Sequence, residues 1–141
     1  MSNVPSKWAA AWSQEDLNVW LSIYAEDATY SDYAFGFIRR GKQGLDEHFK
    51  LWRHANPDFR AEIVEQWPPL DLGDTVRYSV RTHNIGTWTN DLRVFKASGK
   101  KFNFYAVVDL VVRKEDGLIT KIDEWYHRQF DLESLAERDA V

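Results

Sequence analysis

The fold is decided by Asn103-Phe-Tyr-Ala-Val-Val-Asp-Leu-Val-Val112. β-branched and aromatic residues at this density predict a strand, running from Lys101 to Arg113. Successive side chains on a strand point to opposite faces. Phe104, Ala106, Val108, Leu110 and Val112 form one set, and Tyr105, Val107 and Val111 the other. A strand with one face in water alternates between apolar and polar residues. This one is apolar on both, so both faces are expected to be covered, one by helices or a pocket and the other by a partner subunit. Asp109 is the exception in the second set. A carboxyl held among apolar neighbours favours its neutral form, which can donate a hydrogen bond to an oxygen gaining charge.

Working outward, Asp116-Gly117 is a hairpin signal, and Leu118 to Gln129 returns as the next strand. On the N-terminal side, Thr75 to Ile85 reads as a long strand, followed by a loop over residues 86–100. Phe59 to Trp67 alternates, Pro68-Pro69 breaks it, and Leu72-Gly73-Asp74 is a turn. Ahead of these strands, Leu45, His48, Phe49 and Trp52 share one face of a helix from Lys42 to Ala55, which Asn56-Pro57 ends. Two further helices open the chain, with Trp8, Ala9 and Trp12 on the first and Leu17, Trp20, Leu21 and Tyr24 on the second. Ser13, with Asp16 three residues on, reads as the cap of the second helix. Asp131 to Arg138 reads as a short terminal helix. The order is α+β, with helices on one face of a curved antiparallel sheet.

The chain has 141 residues, which suits a single domain over 1–141. It carries a net charge of −4 and no basic run beyond Arg39-Arg40 and Lys100-Lys101, which argues against a nucleic-acid surface. With no cysteine there is no disulfide, thiol nucleophile or cysteine-based metal site. The four His show no metal-ligand spacing, and no glycine-rich phosphate loop occurs, so neither a metal nor a cofactor is expected. The N-terminus lacks a signal-peptide core and no apolar run is long enough to span a bilayer, so the default expectation is a cytoplasmic protein without membrane contact. Aromatic residues make up 15%, including 7 Trp, more than a core of this size usually needs. They could fill an ordinary core, or line a pocket for a small, flat apolar or aromatic molecule.

The stretch Ala28 to Phe37 reads as a strand with Asp32 inside it. A carboxylate beside so much aromatic surface is costly once it loses water, which marks Asp32 as a candidate catalytic residue. Tyr24-Ala-Glu-Asp-Ala-Thr-Tyr-Ser-Asp32 resembles the segment of ketosteroid isomerases that carries the general base, and Asp32 falls on that base. The spacing from Asp109 to Gly117 resembles their segment bearing an oxyanion-hole Asp, and Asp109 falls on that acid. Asn56-Pro57-Asp58-Phe59, Ile85-Gly86-Thr87 and Gly117-Leu-Ile-Thr-Lys-Ile look similar to segments of SnoaL-like polyketide cyclases. Together these resemblances imply the nuclear transport factor 2-like superfamily, with its cone-shaped, cystatin-like fold around a deep pocket. Two departures stand out. The position of the isomerases' helix-borne Tyr is Trp8, and Tyr33 replaces the Pro after their base.

Other candidates follow from the same pattern. Tyr30 shares a strand face with Asp32 and offers a phenol. Trp8, Trp88 and Trp125 are the pocket candidates among the tryptophans, while Trp12, Trp20 and Trp52 read as core. Alternation puts Asp123, Trp125 and His127 on one face of the last strand. SnoaL-like proteins often carry an Asp near His127, which makes it a third candidate catalytic residue. His48 lies on the inward stripe of its helix and reads as a core residue within reach of a pocket, whereas His83 looks solvated.

Three functions remain open. The first is a cofactor-independent isomerase or cyclase, moving a proton on a small polyketide- or terpenoid-like ketone of secondary metabolism. The second is a dehydratase of the scytalone dehydratase type, which would need His83 or His127 to face Asp32. The third is a non-catalytic ligand-binding or interaction domain. A homodimer is the expected assembly.

Overall fold

The computed structural model describes residues 3–127. α1 (Val4–Trp12) starts where the Asn3 side chain accepts the Ser6 N–H, with Pro5 in the first turn, where its missing donor is harmless. α2 (Leu17–Ser22) is capped by Asp16, whose carboxylate accepts from the N–H groups of Asn18 and Val19. The cap is therefore Asp16 and not Ser13. Ser13 instead closes α1, and its hydroxyl accepts the Ala61 N–H at 2.9 Å.

β1 (Tyr24–Asp32) ends at Asp32, and a turn over residues 33–36 leads to β2 (Phe37–Arg40). The single strand expected over 28–37 is thus two strands and a turn, closed by Gly36 N–H donating to Asp32 C=O at 2.9 Å. α3 (Gly41–Ala55) buries Leu45, His48, Phe49 and Trp52, the stripe read from the spacing. Its end is held by Arg53, whose Nη1 donates to Trp12 C=O (3.0 Å) and Phe59 C=O (2.8 Å). β3 (Arg60–Gln66), β4 (Leu70–Asp71), β5 (Thr75–Thr87), β6 (Lys101–Arg113) and β7 (Ile119–Tyr126) complete the described elements. The terminal helix expected over Asp131 to Arg138 lies outside the described residues.

The strands form one seven-stranded sheet in the order β2-β1-β7-β6-β5-β3, with β4 beside β5. All pairings are antiparallel except β1 with β7. That parallel pair carries the topology. It brings Asp32, near the start of the chain, into register with Glu124, near the end of the described residues.

The helices cover one face. α3 packs on β1 and β2, and α1 packs on β3. Between helices and sheet lies an aromatic core with Trp12 at its centre, 4.3 Å from Trp20 and 5.7 Å from both Phe49 and Phe59, measured between ring centroids. Phe104, Ala106, Val108, Leu110 and Val112 all point into this core. Two of the quoted sequence segments meet at its edge. The Asp58 carboxylate accepts both the N–H and the hydroxyl of Thr87, each at 2.7 Å. Gly86 lies so close to Phe102 that an added Cβ would stand 2.8 Å from the ring. These segments secure the turn after α3 against β5, which is a structural task.

The other face of the sheet is open in the single chain. Tyr105, Val107 and Trp125 are exposed on it, and Tyr33 stacks on Trp125 at 5.2 Å with the rings 6° from parallel.

Candidate active site

β1 delivers Asp32 to the inner face at its last position, where it is only 3% exposed. Its Oδ2 accepts the Tyr126 hydroxyl at 2.7 Å and its Oδ1 accepts the Phe35 N–H at 3.0 Å. β7 contributes Ile122, Glu124 and Tyr126 to the same face. Glu124 is 8% exposed, and its Oε1 accepts the Tyr30 hydroxyl at 3.2 Å. Tyr30 in turn accepts the Trp12 indole N–H at 3.1 Å. α3 adds His48, 4% exposed, whose Nδ1 accepts from Arg39 Nε at 3.4 Å. Trp12, Asp32, His48, Trp52, Phe59, Phe104, Glu124 and Tyr126 line a small cavity of about 10 Å³, room for roughly one water.

The electrostatics of this cavity separate its two carboxyls. Burial raises Asp32, but the Tyr126 hydroxyl, the Phe35 and Ala34 N–H groups and the Arg39 charge all pull it back. Burial pushes Glu124 well above the usual carboxylate range, the Asp32 charge pushes it further, and only Tyr30 opposes. Two carboxyls this close cannot both ionise cheaply, and their surroundings decide which does. Asp32 is the anion of the pair and Glu124 the neutral acid. Burial, then the Arg39 cation, lowers His48 to about 3, so its ring is neutral. Burial raises the Tyr126 and Tyr30 phenols, which stay protonated donors. The arrangement offers one base, one carboxylic acid and neutral donors inside an apolar wall, the equipment of general acid–base chemistry.

The sequence candidates divide. Asp32 lies in the cavity and Tyr30 belongs to its hydrogen-bond network. Asp109 does not join them. It sits on the opposite face of β6 from Phe104 and accepts the Ser79 hydroxyl at 2.6 Å. The reason is strand parity: the set that packs inward is the one containing Phe104, and Asp109 belongs to the other. His127 follows the end of β7 and is exposed, and Trp125 is 43% exposed on the outer face. Asp123 and Trp125 share the face turned away from Asp32, and His127 lies past the end of β7. Trp8 is fully buried and Trp88 packs on Phe35 at 6.0 Å, and neither lines the cavity. Trp12 and Trp52, read as core, do line it. His83 sits on the outer face, 3.3 Å from Asn103 Oδ1, so neither it nor His127 faces Asp32. Among the described residues no group of three or more His, Asp or Glu is placed to hold a metal ion, and no helix is long and apolar enough to cross a membrane.

Glu124 and Tyr126 were not evident from sequence. The signal was Ile122, which shares their strand parity, while Lys121 and Asp123 hold the other.

A mostly antiparallel, unclosed sheet with helices over one face and polar residues gathered in the enclosed core defines an α+β protein of the nuclear transport factor 2-like class. Within that class the chain belongs to the SnoaL-like domain family, which matches residues 6–122. Solved structures agree on the fold. A hypothetical protein with a ketosteroid isomerase-like fold from Catenulispora acidiphila, in complex with trimethylamine, is 20% identical, covers 94% of this chain and 91% of its own, and has a TM-score of 0.69. A candidate polyketide cyclase from Xanthomonas campestris pv. campestris is 20% identical over 89% of each chain, with a TM-score of 0.64. A candidate aromatic ring hydroxylase from Novosphingobium aromaticivorans is 16% identical over 92% of each chain, with a TM-score of 0.71. No curated protein matches the sequence.

Proposed function

We propose that this chain is a cofactor-independent isomerase or cyclase that moves a proton on a small carbonyl compound. Asp32 takes a proton from the carbon beside the carbonyl, and the electron pair moves onto the carbonyl oxygen. Glu124, protonated, donates to that oxygen. Return of the proton from Asp32 to a different carbon completes an isomerisation; in a cyclisation the enolate carbon instead attacks a second carbonyl of the same molecule, and the Asp32 proton goes to the alkoxide that forms. One observation carries this reading: two buried carboxyls in register on adjacent strands, whose surroundings leave one charged and one neutral. The aromatic walls keep water scarce around the base, and they suit an apolar substrate of polyketide or terpenoid type. Substrate entry requires the walls of the cavity to part. The resemblance of the fold to candidate polyketide cyclases is consistent with secondary metabolism. The test is solvent-deuterium exchange into the α-carbon of cyclopentanone, followed by proton NMR. The intact protein is expected to accelerate exchange, and Asp32→Asn to abolish it while circular dichroism shows a folded chain. Retained exchange in Asp32→Asn would sink the assignment of the base.

A second reading is favoured by the cavity walls. Five aromatic rings around an ionised carboxylate also suit a small organic cation held without chemistry. The Catenulispora acidiphila structure, of the same fold, is a complex with trimethylamine. Calorimetric binding of trimethylammonium, lost in Asp32→Asn, together with no exchange of cyclopentanone, would favour this reading over catalysis.

A further inference from the structure

His48 is the one cavity group that the proton-transfer scheme leaves without a task. Its place follows from α3, where it shares the inward stripe with Leu45, Phe49 and Trp52. The imidazole is wedged between rings, 4.6 Å from Tyr30 and 5.6 Å from Trp12 by centroid. Its only hydrogen bond to a described residue is the one at Nδ1, from Arg39 Nε at 3.4 Å. A guanidinium donates and never accepts, so Nδ1 must carry a lone pair and the ring proton must sit on Nε2. Arg39 is itself held in place by the Phe37 ring, 4.7 Å from its guanidinium carbon, and by Glu47 at 3.7 Å. The ring lines the cavity shared by Asp32, Glu124 and Tyr126, and no hydrogen bond joins its Nε2 to a described residue. A donor on the wall of such a cavity is free to meet a water or a ligand oxygen placed there.

We propose that His48 is a further catalytic residue, whose Nε2–H donates a hydrogen bond to the substrate oxygen that gains charge as Asp32 removes the neighbouring proton. The proposal rests on the proton-transfer reading. No proton leaves His48. The bond that breaks is carbon–hydrogen, the bond that forms is oxygen–hydrogen on Asp32, and the electron pair reaches the substrate oxygen between the His48 and Glu124 donors. Burial and the Arg39 cation keep the ring neutral down to about pH 3, so the donor does not change with pH over the working range. Arg39 acts through His48 by fixing its tautomer, and is a positioning residue.

Three measurements test this. The first is nitrogen-15 NMR of histidine-labelled protein, expected to show the His48 proton on Nε2. A proton on Nδ1 overturns the proposal whatever the activity. The second uses phenol, whose phenolate resembles an enolate, as the probe. Phenol is expected to move the Nε2–H resonance downfield, and no movement at saturation overturns the proposal. The third is the cyclopentanone exchange assay. His48→Leu is expected to lower kcat by about 10²–10³-fold with a smaller change in KM, the range for losing one oxyanion donor. His48→Gln, which keeps a neutral N–H, is expected to recover at least about tenfold of that loss. A His48→Leu protein that keeps its kcat, or a His48→Gln protein as defective as His48→Leu, contradicts the proposal. Failure of the wild-type protein to exchange cyclopentanone strikes the proton-transfer reading instead, and the two NMR arms then still decide whether His48 is an oxygen-facing donor.

Discussion

Replacing Tyr126 with Phe removes one oxygen atom and little else. The ring stays in its stack with Phe104, whose centroid is 4.6 Å away, so packing is conserved. What is lost is the 2.7 Å hydrogen bond to Asp32 Oδ2. A buried hydrogen bond to a charged group is worth about 1.5–3 kcal/mol, against about 0.5–1.5 kcal/mol when both partners are neutral. The adjoining cavity of about 10 Å³ is at the limit of one water, so solvent replaces the lost donor incompletely. At pH 7.5 the variant is therefore expected to be less stable by about 1.5–3 kcal/mol. The sign with pH follows from the direction of the Asp32 shift. Its folded pKa is raised, so the folded state holds the proton more tightly than the unfolded chain. Wild-type stability from this group is present below the unfolded pKa and is lost as pH rises through the folded value. Tyr126 limits that loss because it favours the anion. Without it the Asp32 pKa rises further and the loss with pH is steeper. At pH 4 the raised Asp32 pKa favours the protonated carboxyl, so the difference between wild type and variant should shrink toward about half. Urea unfolding at the two pH values gives the midpoints directly. Equal destabilisation at both, or none at pH 7.5, would refute the reasoning that Tyr126 acts through the Asp32 charge.

Other outcomes follow from the same geometry. Glu124→Gln replaces a neutral acid with a neutral amide and removes a group whose folded pKa is raised, so it should gain stability on wild type as pH rises above the ordinary carboxylate range. A urea midpoint that instead falls with pH relative to wild type would contradict the assigned ionisation. Gly86→Ala brings a methyl group to 2.8 Å from Phe102 and should cost about 1–3 kcal/mol in the same assay, whereas an unchanged midpoint would show that the Phe102 ring yields freely. The open face of the sheet exposes Tyr105, Val107 and Trp125, and a second copy of the chain is the proposed cover for it. Sedimentation should report a dimer for the wild type and a monomer for Val107→Glu, and a wild-type monomer would dispose of that pairing.

The elements were legible wherever local pattern and tertiary demand agree. The strand Lys101–Arg113 occupies the residues that its β-branched and aromatic content predicts, and α3 differs from its expected range only at the start. Asp32 was legible because a carboxyl in an aromatic stretch is costly unless it has a use. The second carboxyl was not. Both sets of β6 are apolar, so alternation could not say which face turns inward, and Asp109 is on the outer one. On β7 the alternation of Asp123 with Trp125 is seen, on the outer face, and His127 lies beyond the strand. Trp125 and His127 look like pocket residues in a sequence and Glu124 looks like surface, yet Ile122 carries Glu124 and Tyr126 inward. The parallel pairing of β1 with β7, which sets Asp32 beside Glu124, joins residues 92 positions apart and leaves no local trace. His48 fell on the inward stripe by spacing alone. Its tautomer depends on Arg39, which no periodicity connects to it.

The central claim is that the buried pair holds one charge, on Asp32, beside a neutral Glu124. Carbon-13 labelling of the Asp and Glu carboxyls, followed by NMR from pH 3 to 9, reads both groups in one titration. Asp32 is expected to ionise first, above the usual Asp range, and Glu124 after it, well above the usual Glu range. Two carboxyls that both titrate near pH 4, like exposed Asp and Glu, would contradict it.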